Sequence, residues 1–235
     1  MKTAVVIGAT GGIGRALVLG LAASGAYERV VALARQPLDE LPSDVETGHI
    51  DLLDEATIVL AADRIGQADL VMVATGALST PRSRPERTYR ALDADSMMEL
   101  FRVNAIGPAL VARSFLPILP RDRRAVFATL SARVGSISDN HLGGWHSYRA
   151  SKAALNMLVK GFAIELARDR PLAICVALHP GTVDTVLSAP FSQSVPKGRL
   201  FSTEQSAGHL LDLVSRLAPS DSGELLAWDG QRIAP

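Results

Sequence analysis

Short, wholly apolar runs alternate along the chain with longer stretches in which apolar residues return every three or four positions. TAVVI (3–7), RVVALA (29–34), DLVMVA (69–74), AVFATL (125–130) and LAICVAL (172–178) lack polar alternation, as strands buried on both faces do. RALVLGLAAS (15–24), EATIVLAADRI (55–65), DSMMELFRVNAIGPALVARSFLPIL (95–119) and YRASKAALNMLVKGFAIELAR (148–168) carry the helical period. Strands and helices taken in turn predict an α/β chain: one doubly wound domain over 1–235, its parallel sheet covered by helices on both faces. Two segments break the rhythm. Pro81 to Asp95, with Arg82, Arg84, Arg87 and Arg90, reads as a solvated loop. Pro190 to Phe201, with Pro196 and Gly198, follows the last strand, and 186–203 is a candidate substrate lid.

Composition narrows the class. The 235 residues are 48% hydrophobic, enough for one large core. Lys+Arg and Asp+Glu total 24 each, so no global field draws the chain to nucleic acid or an acidic membrane, and small ligands are the expected partners. Only Lys2, Lys152, Lys160 and Lys197 among the basic residues are lysines, which makes a lysine inside a motif a less ordinary choice than arginine. The single Cys175, in AICVAL, excludes an intrachain disulfide and reads as a small buried hydrophobe. His49, His141, His179 and His209 show no HExxH or clustered spacing and there is no CxxC, so no catalytic metal is expected. The first ten residues enter a strand and a glycine turn without a signal-peptide pattern, and no apolar run approaches the ~18 residues of a membrane span; the expectation is a soluble, cytoplasmic protein.

The first strand runs into GATGGIGRAL, where Gly8, Gly12 and Gly14 are spaced GxxxGxG ahead of a helix, with Thr10, Gly11 and Ile13 completing the turn. Such a turn brings backbone N–H groups to a pyrophosphate at the positive end of the helix, so a dinucleotide site is expected here. Where NAD-binding versions carry an acidic residue after the second strand, this chain has Ala34 and Arg35. A guanidinium pairs with the 2′-phosphate, so NADP(H) is the expected cofactor in preference to NAD(H). Asp51 and Leu52, in HIDLLDE, are positioned for the adenine. Further on, Tyr148 and Lys152 lie one helical turn apart, where an ammonium would lower the phenol's pKa toward the range of proton transfer. The same spacing also describes a half-buried aromatic beside a snorkelling lysine.

GxxxGxG, YxxxK and HPGTVDT in this order resemble the short-chain dehydrogenases/reductases, from Thr3 to about Gly230. Within them, GSISDNHLGGWHSYRASKAALNM and SGELLAWDG are similar to the C-factor-like and Sniffer-like carbonyl reductases. The resemblance implies a Rossmann sheet of about seven strands and an oxidoreductase acting on a small carbonyl or alcohol. It implies Tyr148 as proton donor or acceptor, with Lys152 tuning it and holding the nicotinamide ribose. It makes Asn104, in FRVNAIGP, the support of a proton-relay water, and gives Pro180, Gly181, Val183 and Thr185 to the nicotinamide carboxamide. The substrate-oxygen serine is assigned to Ser131, with Ser136 in reserve, because Ala132 occupies the usual second-serine slot. Val73-Ala74-Thr75-Gly76 replaces the family's NNAG; Ala74 and Gly76 keep the backbone approach to the cofactor, and the bracing asparagine is missing. Trp145, His146, Phe191 and Phe201 are candidates to line the pocket. Tyr148, Lys152, Leu155, Val159, Phe162 and Leu166 form one stripe while Ala153, Ala154, Met157 and Leu158 make other faces apolar, predicting burial on two sides and a homodimer or homotetramer. The alternative from another class is an NADP(H)-binding sensor or signalling protein with little turnover. A third reading, a structural interaction protein without cofactor, is poorly matched by the glycine turn.

Overall fold

A computed structural model describes residues 1–80, 84–189 and 200–235. In chain order it gives β1 (Thr3–Ile7), α1 (Gly12–Ser24), β2 (Arg29–Ala34), β3 (Val45–His49), α2 (Glu55–Ile65), β4 (Leu70–Val73), α3 (Ala94–Phe101) and α4 (Gly107–Phe115). There follow β5 (Ala125–Leu130), α5 (His146–Asp169), β6 (Ala173–His179), β7 (Thr182–Val183), β8 (Leu200–Phe201), α6 (Thr203–Arg216) and β9 (Leu225–Ala227). Seven strands form one parallel sheet in the order β3-β2-β1-β4-β5-β6-β9, and β7 pairs with β8 apart from it. This is the doubly wound Rossmann architecture expected from the sequence. The chain winds outward from β1 to β3 and then returns to β4 on β1's other side, so a crevice opens between the C-terminal ends of β1 and β4.

Side chains of a strand alternate between its faces, so an all-apolar strand feeds two cores. Val5 and Ile7 of β1, with Phe127 of β5 and Cys175 of β6, pack beneath α2, α4 and α5. Ala4 and Val6, with Val126 and Val176, pack beneath α1 and α6. Burial pushes the Cys175 thiol up to about 12, leaving it a packed apolar group.

Besides the two-residue β7 and β8, three regular elements of the fold do not stand out in the sequence. β3 is an edge strand in which only Val45 is buried, so it has no apolar run to announce it. β9 is three residues long. α6 begins at a Ser202/Gln205 capping box just after the segment read as a lid, and its inward residues are Ala207, Leu210, Leu213 and Val214. Residues 190–199, with Phe191, and Arg82 of the arginine loop lie outside the described residues.

The expected single helix over 95–119 is interrupted. α3 ends at Phe101, Arg102–Ile106 form a π-helical turn, and α4 resumes at Gly107. In α5, Tyr148, Lys152, Leu155, Val159 and Leu166 are buried as the stripe predicts, Phe162 is partly buried, and Met157 and Ile164 stand out at 73% and 54% exposure. No helix of the described residues is long and apolar enough to cross a membrane.

Candidate active site

The glycines of the first turn are required by contact. Gly8 has φ +90°, and a Cβ on it would lie 2.8 Å from Thr75 Cγ2 and 3.1 Å from the Ala74 carbonyl. A Cβ on Gly14 would fall 2.1 Å from the Gly8 oxygen, so α1 can start this close to β1 only with glycine there. α1 has no side-chain cap at Gly11, which leaves the amides of its first turn for an anion. Across the turn stand Thr185 and Thr203, whose Cγ2 atoms are 3.4 and 2.8 Å from the place a Cβ of Gly12 would occupy. The HPGTVDT segment and the glycine turn thus share one wall. This uncapped, side-chain-free cradle fits the pyrophosphate of a dinucleotide.

At the end of β2, Arg35 is exposed and borders a cavity of about 280 Å³ with Gln36, Thr47 and His49. No carboxylate lines it. Arg15 of α1 donates to the carbonyls of Asp39 and Glu40 (2.8 and 2.9 Å) and so ties down the loop that follows Arg35. Asp51 accepts from the Leu53 amide at 2.9 Å, forming a local turn, while Leu52 is buried against Gly107.

The π-helical turn aims Asn104 into the interior. Its Oδ1 accepts from the Ala77 amide (2.8 Å), and its Nδ2 donates to the Ala77 carbonyl (2.8 Å) and to Ser151 Oγ (3.0 Å). The side chain therefore locks the segment after β4 onto α5. Lys152, also buried, donates from Nζ to the Leu130 carbonyl at 2.9 Å. A Cβ on Gly76 would sit 3.5 Å from both Asn104 Oδ1 and Lys152 Nζ, so these three residues meet at one point. Gly135 lies over the lysine stem, where a Cβ would be 2.8 Å from Lys152 Cβ.

Ser131 directly follows β5 and donates to Asn156 Oδ1 at 2.6 Å; buried Ser136 accepts from the Asp139 amide at 3.1 Å. Tyr148 is buried with its ring edge-on to Trp145, centroids 6.3 Å apart. Pro180 accepts from Ser206 Oγ at 2.9 Å, Gly181 takes φ +82° against the Phe201 ring, and Thr185 caps a turn with Ser188. Phe201 packs on His209 and Trp228.

One expectation about this site does not hold for the polypeptide itself. Burial pushes the Tyr148 phenol up to about 12 and the Lys152 ammonium down to about 8, so desolvation outweighs the expected pull of the cation on the phenol. Ser151 and Asn156, which bond Asn104 and Ser131, were not singled out in the sequence. Their spacing of three and eight from Tyr148 on one helix was the available signal.

Residues 2–195 match the family described as short chain dehydrogenase, and the chain belongs to that family of oxidoreductases. It is 30% identical over 234 residues to the 1-hydroxy-2-glutathionyl-2-methyl-3-butene dehydrogenase of Rhodococcus sp. (strain AD45), covering 98% of each chain. It is 33% identical over 143 residues to C-signal of Myxococcus xanthus, which takes in 60% of this chain and 80% of that protein. The NADPH-bound carbonyl reductase from chicken fatty liver superposes with a TM-score of 0.84 at 27% identity, over 100% of this chain and 94% of that one. The likeness to C-factor-like proteins and carbonyl reductases seen in the sequence is thereby upheld.

The buried lysine has a stability consequence whose sign follows from its pKa. Because burial lowers Lys152 from 10.5 to about 8, the folded chain binds its proton less tightly than the unfolded chain. The resulting penalty is fully present below about pH 8 and fades as pH rises toward 10.5. It amounts to about 3 kcal/mol, partly offset by the bond to the Leu130 carbonyl. Lys152→Met removes the titrating group, so the rise in wild-type stability expected between pH 8 and 10.5 should be absent from the variant. Urea unfolding of both proteins across that range measures it, and equal pH slopes would refute the assignment.

Proposed function

We propose that this chain is an NADPH-dependent carbonyl reductase, with Tyr148 giving the proton that the substrate oxygen takes up. The observation that carries the reading is the meeting of Gly76, Asn104 and Lys152 one helical turn from a buried Tyr148, in a fold whose uncapped glycine turn offers a pyrophosphate cradle. When bound, NADPH supplies the hydride to the carbonyl carbon. Gly8, Thr10, Gly11, Gly12, Ile13 and Gly14 would hold its pyrophosphate, Arg35 its 2′-phosphate, and Asp51 with Leu52 its adenine. Ala74, Gly76, Pro180, Gly181, Val183 and Thr185 would receive the nicotinamide end. The carboxylate-free cavity beside Arg35 and the NADPH of the chicken reductase support the phosphate preference.

With its phenol held near 12, Tyr148 carries its proton throughout the neutral range, which suits it to act as an acid on a carbonyl oxygen. The reverse oxidation needs the phenolate and is favoured by alkali. Lys152 spends one donor on Leu130 and keeps two for ribose hydroxyls, and Asn104 fixes the backbone that a relay water would use. Ser131 stands where β5 ends beside Leu130 and is the serine assigned to the substrate oxygen, oriented by Asn156. Ser136 is the second candidate, because its hydroxyl accepts from Asp139 and has no acceptor among the described residues. Segment 186–203 is assigned to the substrate lid. Nothing in the site favours the sensor reading, since a binding module has no need of the Asn104 and Lys152 arrangement. A lone buried thiol fits a reducing, cytoplasmic setting. The exposed Met157 and Ile164, seven residues apart on α5, support a homodimer or homotetramer through that helix.

Tyr148→Phe keeps the ring and removes the donor, so NADPH consumption on a panel of aldehydes, ketones and quinones should fall by ~10²–10⁴. Ser131→Ala beside it should lose most of the activity; near-normal turnover would transfer the role to Ser136. Alcohol oxidation by the wild type should rise with pH through the alkaline range while reduction stays flat around neutrality; full activity of Tyr148→Phe would end the reading. In a fluorescence titration NADPH should bind more tightly than NADH, and Arg35→Ala should erase the difference. Equal binding by the wild type would refute the preference. Light scattering should give a dimer or tetramer that Met157→Glu dissociates; a monomeric wild type would contradict the assembly.

A further inference from the structure

α5 carries Tyr148 in its first turn, and the residue that precedes the helix gives that turn no side-chain cap. Trp145, the residue before the helix, makes no side-chain cap and has left-handed φ +50°, following Gly143 and Gly144 at φ +64° and +65°. A tryptophan in this conformation persists only where its surroundings impose it. Holding it is Glu86, 59 positions earlier, in the segment between β4 and α3. Glu86 is 6% exposed. Its Oε2 accepts from the Ser147 amide at 3.3 Å, its Oε1 accepts from the Ser147 hydroxyl, and its main-chain carbonyl accepts from the Trp145 amide at 2.5 Å. Gly144 is pressed against the same carbonyl, where a Cβ would lie 3.4 Å away. One residue thus grips the chain at 145 and 147. Between those grips and the phenol there is little slack, since Tyr148 is the next residue after Ser147 and its ring meets that of Trp145 edge-on.

We propose that Glu86 is a positioning residue for proton transfer: it caps the catalytic helix from a distance and, through Trp145 and Ser147, sets where the Tyr148 hydroxyl stands. The inference rests on the proposed role of Tyr148. Glu86 does not touch the reacting atoms. It supplies the acceptors that Trp145 cannot offer to the first turn, and a carboxyl group at that end also matches the helix dipole. Two hydrogen-bonded points on the main chain hold the phenol more closely than the packing of one aromatic pair, and misplacement of a catalytic group by about 1 Å costs about 10²-fold in rate.

The test compares Glu86→Ala, Glu86→Gln and Ser147→Ala with the wild type and Tyr148→Phe. Glu86→Ala and Ser147→Ala should each lower kcat by about 10- to 100-fold with NADPH affinity unchanged. Their combination should be no worse than the more severe single variant, because the hydroxyl bond lost in Ser147→Ala is one of the two that Glu86→Ala removes. Glu86→Gln retains an oxygen for the Ser147 amide and an amide for its hydroxyl oxygen, and should recover most of the rate. A second readout is independent of turnover. Ultraviolet titration of the phenol, taken as the difference from Tyr148→Phe, should move from about 12 toward 10 in the two alanine variants as water reaches the loosened turn, and stay in place in Glu86→Gln. If Glu86→Ala does not fold, Ser147→Ala carries the decision. Wild-type kcat and phenol titration in Ser147→Ala, additive losses in the double variant, or a glutamine variant as impaired as alanine would each overturn the proposal. Failure of the catalytic reading looks different: Tyr148→Phe keeps its rate while the phenol titration still responds to Glu86.

Discussion

Lys152 is a cation kept out of water, its Nζ on the Leu130 carbonyl, and the backbone around it is shaped to admit it. An ammonium this deep is tolerated only with polar partners and room for its stem. Gly76 and Gly135 give the room, since a side chain on either would meet the lysine. Asn104 borders the same space and joins the segment after β4, at Ala77, to α5 at Ser151. The cost of burying that charge is therefore spread through the contacts between β4, β5 and α5. These contacts also assemble the site.

The parallel order of the sheet explains why so many distant segments meet there. β1, β4, β5 and β6 all end at one edge, so the glycine turn, Gly76, Ser131 and Pro180 arrive together although 172 residues separate Gly8 from Pro180. α5 crosses beneath that edge with Tyr148 and Lys152 at its start and Met157 and Ile164 on its outer side. One helix thus carries both the pair proposed for proton transfer and the surface proposed for assembly.

Much of this was legible in the sequence wherever a local pattern reports the environment. Central strands such as AVFATL announce themselves because both faces are buried, and the spacing of Gly8, Gly12 and Gly14 carries the tight turn between β1 and α1. The edge strand VETGH and the three-residue β9 have no such pattern. The break at 102–106 was hidden because a π-helical turn shifts the apolar spacing by only one residue, which passes for the ordinary alternation of threes and fours in a helix. Site chemistry was legible as residue types and hidden as energetics. The pair Tyr148 and Lys152 is visible from spacing, but only three dimensions show that desolvation governs both groups. Glu86 carries no local signal in its arginine-rich loop, because its partners lie 59 and 61 positions away.

The π-helical turn at Arg102–Ile106 has a consequence for how this chain can vary. An i→i+5 bond takes in one residue more than an α-helical bond, and one residue corresponds to about 100° of rotation around a helix. α4 is therefore out of phase with α3, and this offset lets Asn104 face the site while Val111 and Phe115 still face the core. Losing a single residue here would not shorten a loop. It would restore a continuous α-helix in which α4 keeps its buried and exposed faces, and would remove the widened turn that presents Asn104, so a change of length here strikes the site and leaves the packing of the helix in place.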